Sequence, residues 1–315
     1  MALTTDTESP SFPQEILELI LDEVAALNSP QTLRACTLVS KSFYFPSRKH
    51  LYSHIFLVID RHGQARARRL IKTLETLRKA GFAAVVHSLT LIFGVSSKIE
   101  PGSTFGSRIL GRHSQKSKLL GSRIVEGIGL WETNLEKLLR LLMASQLTSF
   151  TLRAQGGFID WGLHLKGEIR METFHSLFTL PSLKSLHLSH VFGLDDSLVG
   201  EALQSNSLRE LTLVSVSLPI SKITQPVVQF TSRHIRSLDI RRTSITDFLS
   251  TMGYSRQLLS TPHPIVTFTR LQSLAISGRH STSLDVHRPW KFILGLARTL
   301  ETLEIEEVYW EGELI

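Results

Sequence analysis

Leu183-Lys184-Ser185-Leu186-His187-Leu188 and Leu208-Arg209-Glu210-Leu211-Thr212-Leu213 are two copies of one pattern, apolar at the first, fourth and sixth places. The pattern continues as Ile235-Leu238-Ile240, Leu271-Leu274-Ile276 and Leu300-Leu303-Ile305, with weaker earlier copies at Leu147-Phe150-Leu152 and Val86-Leu89-Leu91. The last three places of each copy alternate inward, outward, inward, as a half-buried strand requires. The first apolar residue enters the core one step before the strand. Between the copies lie helix-like segments such as Asp195–Leu203, with an acidic start, and Pro289–Arg298, with Pro in a favoured first-turn position. A lone strand or lone helix of this kind cannot bury its apolar side, whereas a stack of such units makes one continuous core.

The copies are spaced by 61, 36, 25, 27, 36 and 29 residues. The shorter intervals match the period of leucine-rich repeats, and the longer ones require insertions. Three residues after the last apolar position of each copy, where such repeats often carry Asn or Cys, stand Val191, Val216, Thr243, Arg279 and Val308. The usual Asn ladder is therefore missing and an irregular stack is expected. The competing fold is a doubly wound α/β sheet, but strands buried on both faces read as solid apolar runs rather than alternating ones. The expected class is α/β: a small N-terminal helical domain over residues 11–56, then an irregular leucine-rich-repeat solenoid over 57–315. Its parallel strands would line the concave face and its helices the outside. The Gly-, Ser- and Lys/Arg-rich stretch at about 94–123 reads as a mobile insertion and accounts for the longest spacing. After it, Trp131, Leu135, Leu138, Leu139 and Leu142 fall at helical spacing.

The N-terminal segment differs in composition. Ile16, Ile20 and Val24 share one helical face with Leu17 and Leu21 beside it, and Ser11 with Gln14 fits a capping box ahead of that helix. Ser29-Pro30 opens a second helix, and a third stretch holds Leu38, Val39, Phe43 and, after Pro46, Leu51 and Tyr52. Some forty residues is close to the lower limit for an independent domain, so a leftover apolar stripe points to a partner. Phe12-Pro13-Gln14-Glu15-Ile16-Leu17 with Ile20-Leu21, then Thr32 to Phe43 and Pro46 to Ile55, resembles the F-box, in the F-box-like form found in large families of fungal proteins. The usual Leu-Pro opening is Phe12-Pro13 here and the late Trp is Phe43; both positions stay apolar. The resemblance implies docking to a Skp-type adaptor, and through it to a cullin. Phe12, Pro13, Ile16, Leu17, Ile20 and Leu21 would touch the adaptor, and Leu33, Val39 and Phe43 would complete the surface or the small core behind it. The competing reading makes these residues an N-terminal cap on the repeats.

The remaining sequence narrows the function. Residues 1–123 hold 17 Lys and Arg against 9 Asp and Glu, whereas 124–315 hold 18 against 19. The net charge of +7 therefore belongs to the front of the chain, and nucleic acid is not expected as the repeats' client. The basic helix at Gln64–Ala80 reads as a solvated amphipathic face. Cys36 is the single cysteine, which excludes an internal disulfide and a multi-cysteine zinc site. No apolar run is long enough to span a bilayer and no signal peptide is apparent, so cytoplasm or nucleus is expected and a membrane is not. Gly106 to His113 has a phosphate-loop outline but lacks its Lys, and no catalytic motif, metal set or cofactor fingerprint appears. The expected role is a non-catalytic client receptor of a Skp-cullin-F-box ubiquitin ligase; the alternative is a stand-alone repeat scaffold. A protein client would meet the outward strand positions, among them Lys184, His187, Arg209, Thr212, Arg236, Asp239, Arg241, Glu301 and Glu304.

Overall fold

The computed structural model describes residues 13–27, 29–60, 62–79, 86–94, 132–155, 157–162, 168–218, 230–232, 234–244, 248–249, 266–280, 287–296 and 298–310. The basic insertion (apart from Gly94), Phe12, the Ser11 cap and Trp131 lie outside them.

Three helices come first: α1 (Gln14–Ala26), α2 (Pro30–Val39) and α3 (Lys41–Ser53). Pro13 stands one residue ahead of α1 and its carbonyl accepts the Ile16 and Leu17 amides. Ser29 caps α2 by accepting the Thr32 amide, with Pro30 in the first turn. Leu38 and Val39 end α2 rather than opening the third helix, because the Ser40 hydroxyl caps Phe43 and starts α3 there. Pro46 is accommodated inside α3, where it is buried.

The rest of the chain builds an eight-stranded parallel sheet with strands in the order β1-β2-β3-β5-β7-β9-β11-β12. They are β1 (His54–Ile59), β2 (Ser88–Gly94), β3 (Ser149–Gln155), β5 (Ser185–Ser189), β7 (Glu210–Val214), β9 (Ser237–Arg241), β11 (Ser273–His280) and β12 (Thr302–Trp310). Short pairs form beside it, β4 (Ile159–Asp160) with β6 (Val191–Phe192), and β8 (Phe230–Ser232) with β10 (Val266–Phe268). The helices that follow the strands are α4 (Gly63–Lys79), α5 (Glu132–Met143), α6 (Glu168–Phe178), α7 (Asp196–Gln204) and α8 (His287–Leu296). The strand order follows the chain without reversal, so the sheet has none of the switch points of a doubly wound fold.

The register pairs the repeat positions one for one: Leu89, Phe150, Leu186, Leu211, Leu238, Leu274 and Leu303 form one row across the sheet. Leu91, Leu152, Leu188, Leu213, Ile240, Ile276 and Ile305 form the next. Both rows are buried as far as β11, in one continuous core shared with the helices. Successive helices pack on one another, α4 on α5, α5 on α6 and α6 on α7. Asp195 caps α7 by accepting the Ser197 amide at 3.0 Å. An aromatic group formed by Phe150, Trp161, Phe174 and Phe178 fills the middle, with ring centroids 5.0 to 6.3 Å apart.

Two features went unseen in the repeat pattern. Ile55 and Leu57 of β1 pair with Leu89 and Leu91, so Tyr52-Ile55-Leu57 is an eighth copy that begins inside α3. The turns after three consecutive strands place His190, Ser215 and Arg242 in the left-handed region, at φ 58°, 53° and 51°. Each lies two residues beyond the last apolar position and donates its amide to the next turn or strand: His190 to the Val214 carbonyl, Ser215 to Arg241 and Arg242 to Ser277. In place of an Asn ladder, the buried Thr243 hydroxyl accepts the Val216 amide at 3.0 Å and lies 3.2 Å from the Leu213 and Arg241 carbonyls.

Candidate functional site

Leu17 and Leu21 of α1 and Leu33 of α2 are buried, yet they stand outside the continuous core of the sheet and helices. α1 packs on α2 and α3, and these three leucines are buried on the first two of the packed helices. That corrects the expectation for Leu17 and Leu21. In a helix where five apolar residues adjoin, the pair facing α2 and α3 turns inward and cannot meet a partner. Ile16 and Ile20 point away, 41 % and 45 % exposed, with Leu19 between them. At the end of α2, Leu38 is 86 % and Val39 69 % exposed. Pro13 is exposed and Phe43 half-buried. Leu19 and Leu38 were not among the expected adaptor contacts, although Leu19 follows Ile16 at the helical interval of three. Asp22 of α1 and His50 of α3 lie 2.9 Å apart and tie the helices together. Arg48 stacks on Tyr44 and Tyr52 within α3, and the Tyr52 hydrogen bond holds its pKa above the ordinary guanidinium value.

The outward positions of the sheet form rows of their own. Thr90, Thr151, His187, Thr212, Asp239, Ala275 and Glu304 stand side by side. His187 is half-buried between Thr151 and Thr212. Burial pushes its pKa below the usual imidazole value; Asp239 opposes that shift and Arg153 adds to it. In the neighbouring row Arg241 reaches three carboxylates, Asp239 at 3.0 Å, Glu304 at 2.9 Å and Glu306 at 3.5 Å. It does so across β11, whose outward residues at those registers are the small Ala275 and Ser277. Arg241 thus bridges Asp239 of β9 to Glu304 and Glu306 of β12 as a structural clasp, and its single positive charge leaves the cluster net negative. Lys184 and Arg236 remain exposed, as do Glu301 and Glu304, while Arg209 is half-buried and donates to the Asn206 and His234 carbonyls.

Among the described residues no group of three or more His, Cys, Asp or Glu is placed to hold a metal ion, and no helix is long and apolar enough to cross a membrane. Cys36 is half-buried. Neither a scan against protein-family models nor a search of curated proteins finds a match to this chain.

Proposed function

We propose that this chain is the non-catalytic client receptor of a Skp-cullin-F-box type ubiquitin ligase. The helical domain would dock to the adaptor and the repeats would hold a protein client. One observation carries the reading: α1 and α2 bury Leu17, Leu21 and Leu33, yet leave Ile16, Leu19, Ile20, Leu38 and Val39 exposed to water. Large apolar side chains exposed on short helices are what an apolar groove recognises, and fully burying each is worth about 1.5–3 kcal/mol. The resemblance of Phe12–Phe43 to the F-box supplies the identity of the groove's owner. The ordered, non-reversing strands with helices behind them support a solenoid whose outer sheet face is the gripping surface.

The test is capture of a purified Skp-type adaptor by the full-length chain. Ile16→Asp with Ile20→Asp should abolish capture and leave the circular dichroism spectrum and melting curve unchanged. Leu17→Asp, which places a charge at a buried position, should instead unfold the helical domain. Absence of capture by the unaltered chain would overturn the reading and leave the stand-alone repeat scaffold in its place.

A further inference from the structure

At the amino ends of β9, β11 and β12 the turns bring Arg236, Arg270 and Arg298 around a shallow groove of about 540 Å³, with Gln272, Leu300 and Glu301 completing its wall. All three arginines are exposed, and among the described residues none of them pairs with a carboxylate. The one acidic side chain in the wall, Glu301, accepts a hydrogen bond from the Gln272 amide at 2.8 Å. The groove also continues a basic row. Arg209 donates its backbone amide to the Lys184 carbonyl, Arg236 to Arg209 and Gln272 to Arg236, so Lys184, Arg209 and Arg236 occupy one register on consecutive strands. Neighbouring strands lie about 4.8 Å apart, which puts like charges side by side at a spacing that opposes folding. Elsewhere on this sheet the comparable cation, Arg241, is surrounded by carboxylates supplied by the chain itself. At the amino edge, among the described residues, the only carboxylate in the groove's wall is Glu301, which accepts from Gln272 and pairs with none of the three arginines.

We infer that this edge is the seat of an extended, Asp- and Glu-rich peptide segment of a protein partner, lying across the strands with its densest charge in the groove between Arg236, Arg270 and Arg298. From β5 to β12 the edge spans roughly 19 Å, the length of about six residues of extended chain. Planar guanidinium forks bind carboxylates through paired hydrogen bonds, and they stay charged at every physiological pH. A nucleic acid fits less well. Among the described residues the groove's lining contains no aromatic side chain on which a base could stack. Beside a peptide Glu301 can accept a backbone N–H, a donor that a phosphodiester backbone lacks. The inference rests on reading the repeats as the gripping surface, and it is independent of the adaptor contact.

The experiment measures fluorescence anisotropy of a labelled Glu- and Asp-rich peptide of about eight residues with the full-length chain. Saturable binding that weakens steeply with salt is expected, with no binding of the same peptide carrying Gln and Asn. Arg270→Gln with Arg298→Gln should weaken binding about a hundredfold, at about tenfold for each charged hydrogen-bonding partner lost. Arg270→Lys with Arg298→Lys, which keeps the charge and loses the paired fork, should bind more tightly than the Gln variant and more weakly than the unaltered chain. Absence of saturable binding to the unaltered chain, or binding indifferent to the Gln variants, overturns the inference. So does tighter, arginine-dependent binding of a single-stranded oligonucleotide of equal charge. Adaptor capture, run in parallel on the same variants, should be unchanged. Lost peptide binding with retained capture by the unaltered chain overturns this inference alone, and lost capture with retained peptide binding overturns the ligase reading alone.

Discussion

Leu211→Ala and Leu303→Ala make the same chemical change at the same repeat position and should differ in cost severalfold. The two leucines stand in one row of the sheet, but Leu211 is 1 % exposed and Leu303, on the edge strand β12, is 43 % exposed. Truncation removes three carbons, and at about 0.8 kcal/mol each the lost transfer free energy at a fully buried site is about 2.4 kcal/mol. Position 211 lies in the continuous core between flanking strands and helices, so a cavity remains and the total rises to about 3–5 kcal/mol. At position 303 nearly half the side chain already meets water, the gap opens to solvent, and about 1 kcal/mol is expected. Differences between variants are safer than absolute sums, because the unfolded reference largely cancels. Urea unfolding followed by far-ultraviolet circular dichroism, compared at equal slope, gives both values. Equal losses, or a larger loss at Leu303, would refute the claim that the stack is sealed at its centre and open along β12.

Three further outcomes follow from the outer face and the turns. Burial lowers the His187 pKa, so the unfolded chain binds the proton more readily, and stability should fall as pH drops below the ordinary imidazole value of about 6.5. His187→Gln should remove that part of the pH dependence between neutral and mildly acidic buffer, and parallel curves for the two proteins would contradict the assignment. Arg241→Gln leaves Asp239, Glu304 and Glu306 facing one another, and should cost at most about 1 kcal/mol in low salt and less in high salt, read from chemical denaturation at both. Ser215→Gly keeps the backbone bond to the Arg241 carbonyl and relieves a left-handed side chain. It should raise stability by up to about 1 kcal/mol, and a loss of that size would show that the turn carries no strain.

The strand register was legible because an apolar residue at every second place leaves a half-buried strand one way to face, and the seven copies pair as their spacing implies. The eighth copy was hidden because Tyr52 replaces its first Leu and already belongs to α3. The left-handed turns carried no signal, since His190, Ser215 and Arg242 stand where Gly would have marked them. In α1 the helical period identified an apolar side but could not choose between Ile16/Ile20 and Leu17/Leu21. That choice is made by packing against α2 and α3, which are distant in the pattern though close in the chain. The Arg241 clasp was equally hidden, for it joins residues 63 and 65 positions apart across an intervening strand. Arg270 and Arg298 sit in turns outside the repeat positions, and only the fold brings them beside Arg236.

The docking claim is tested most directly by hydrogen exchange, read by mass spectrometry, on the full-length chain with and without a purified Skp-type adaptor. The account predicts added protection in peptides from α1 and α2, with amides of the sheet strands unchanged. Protection that maps to the strands, or none at saturating adaptor, would contradict it.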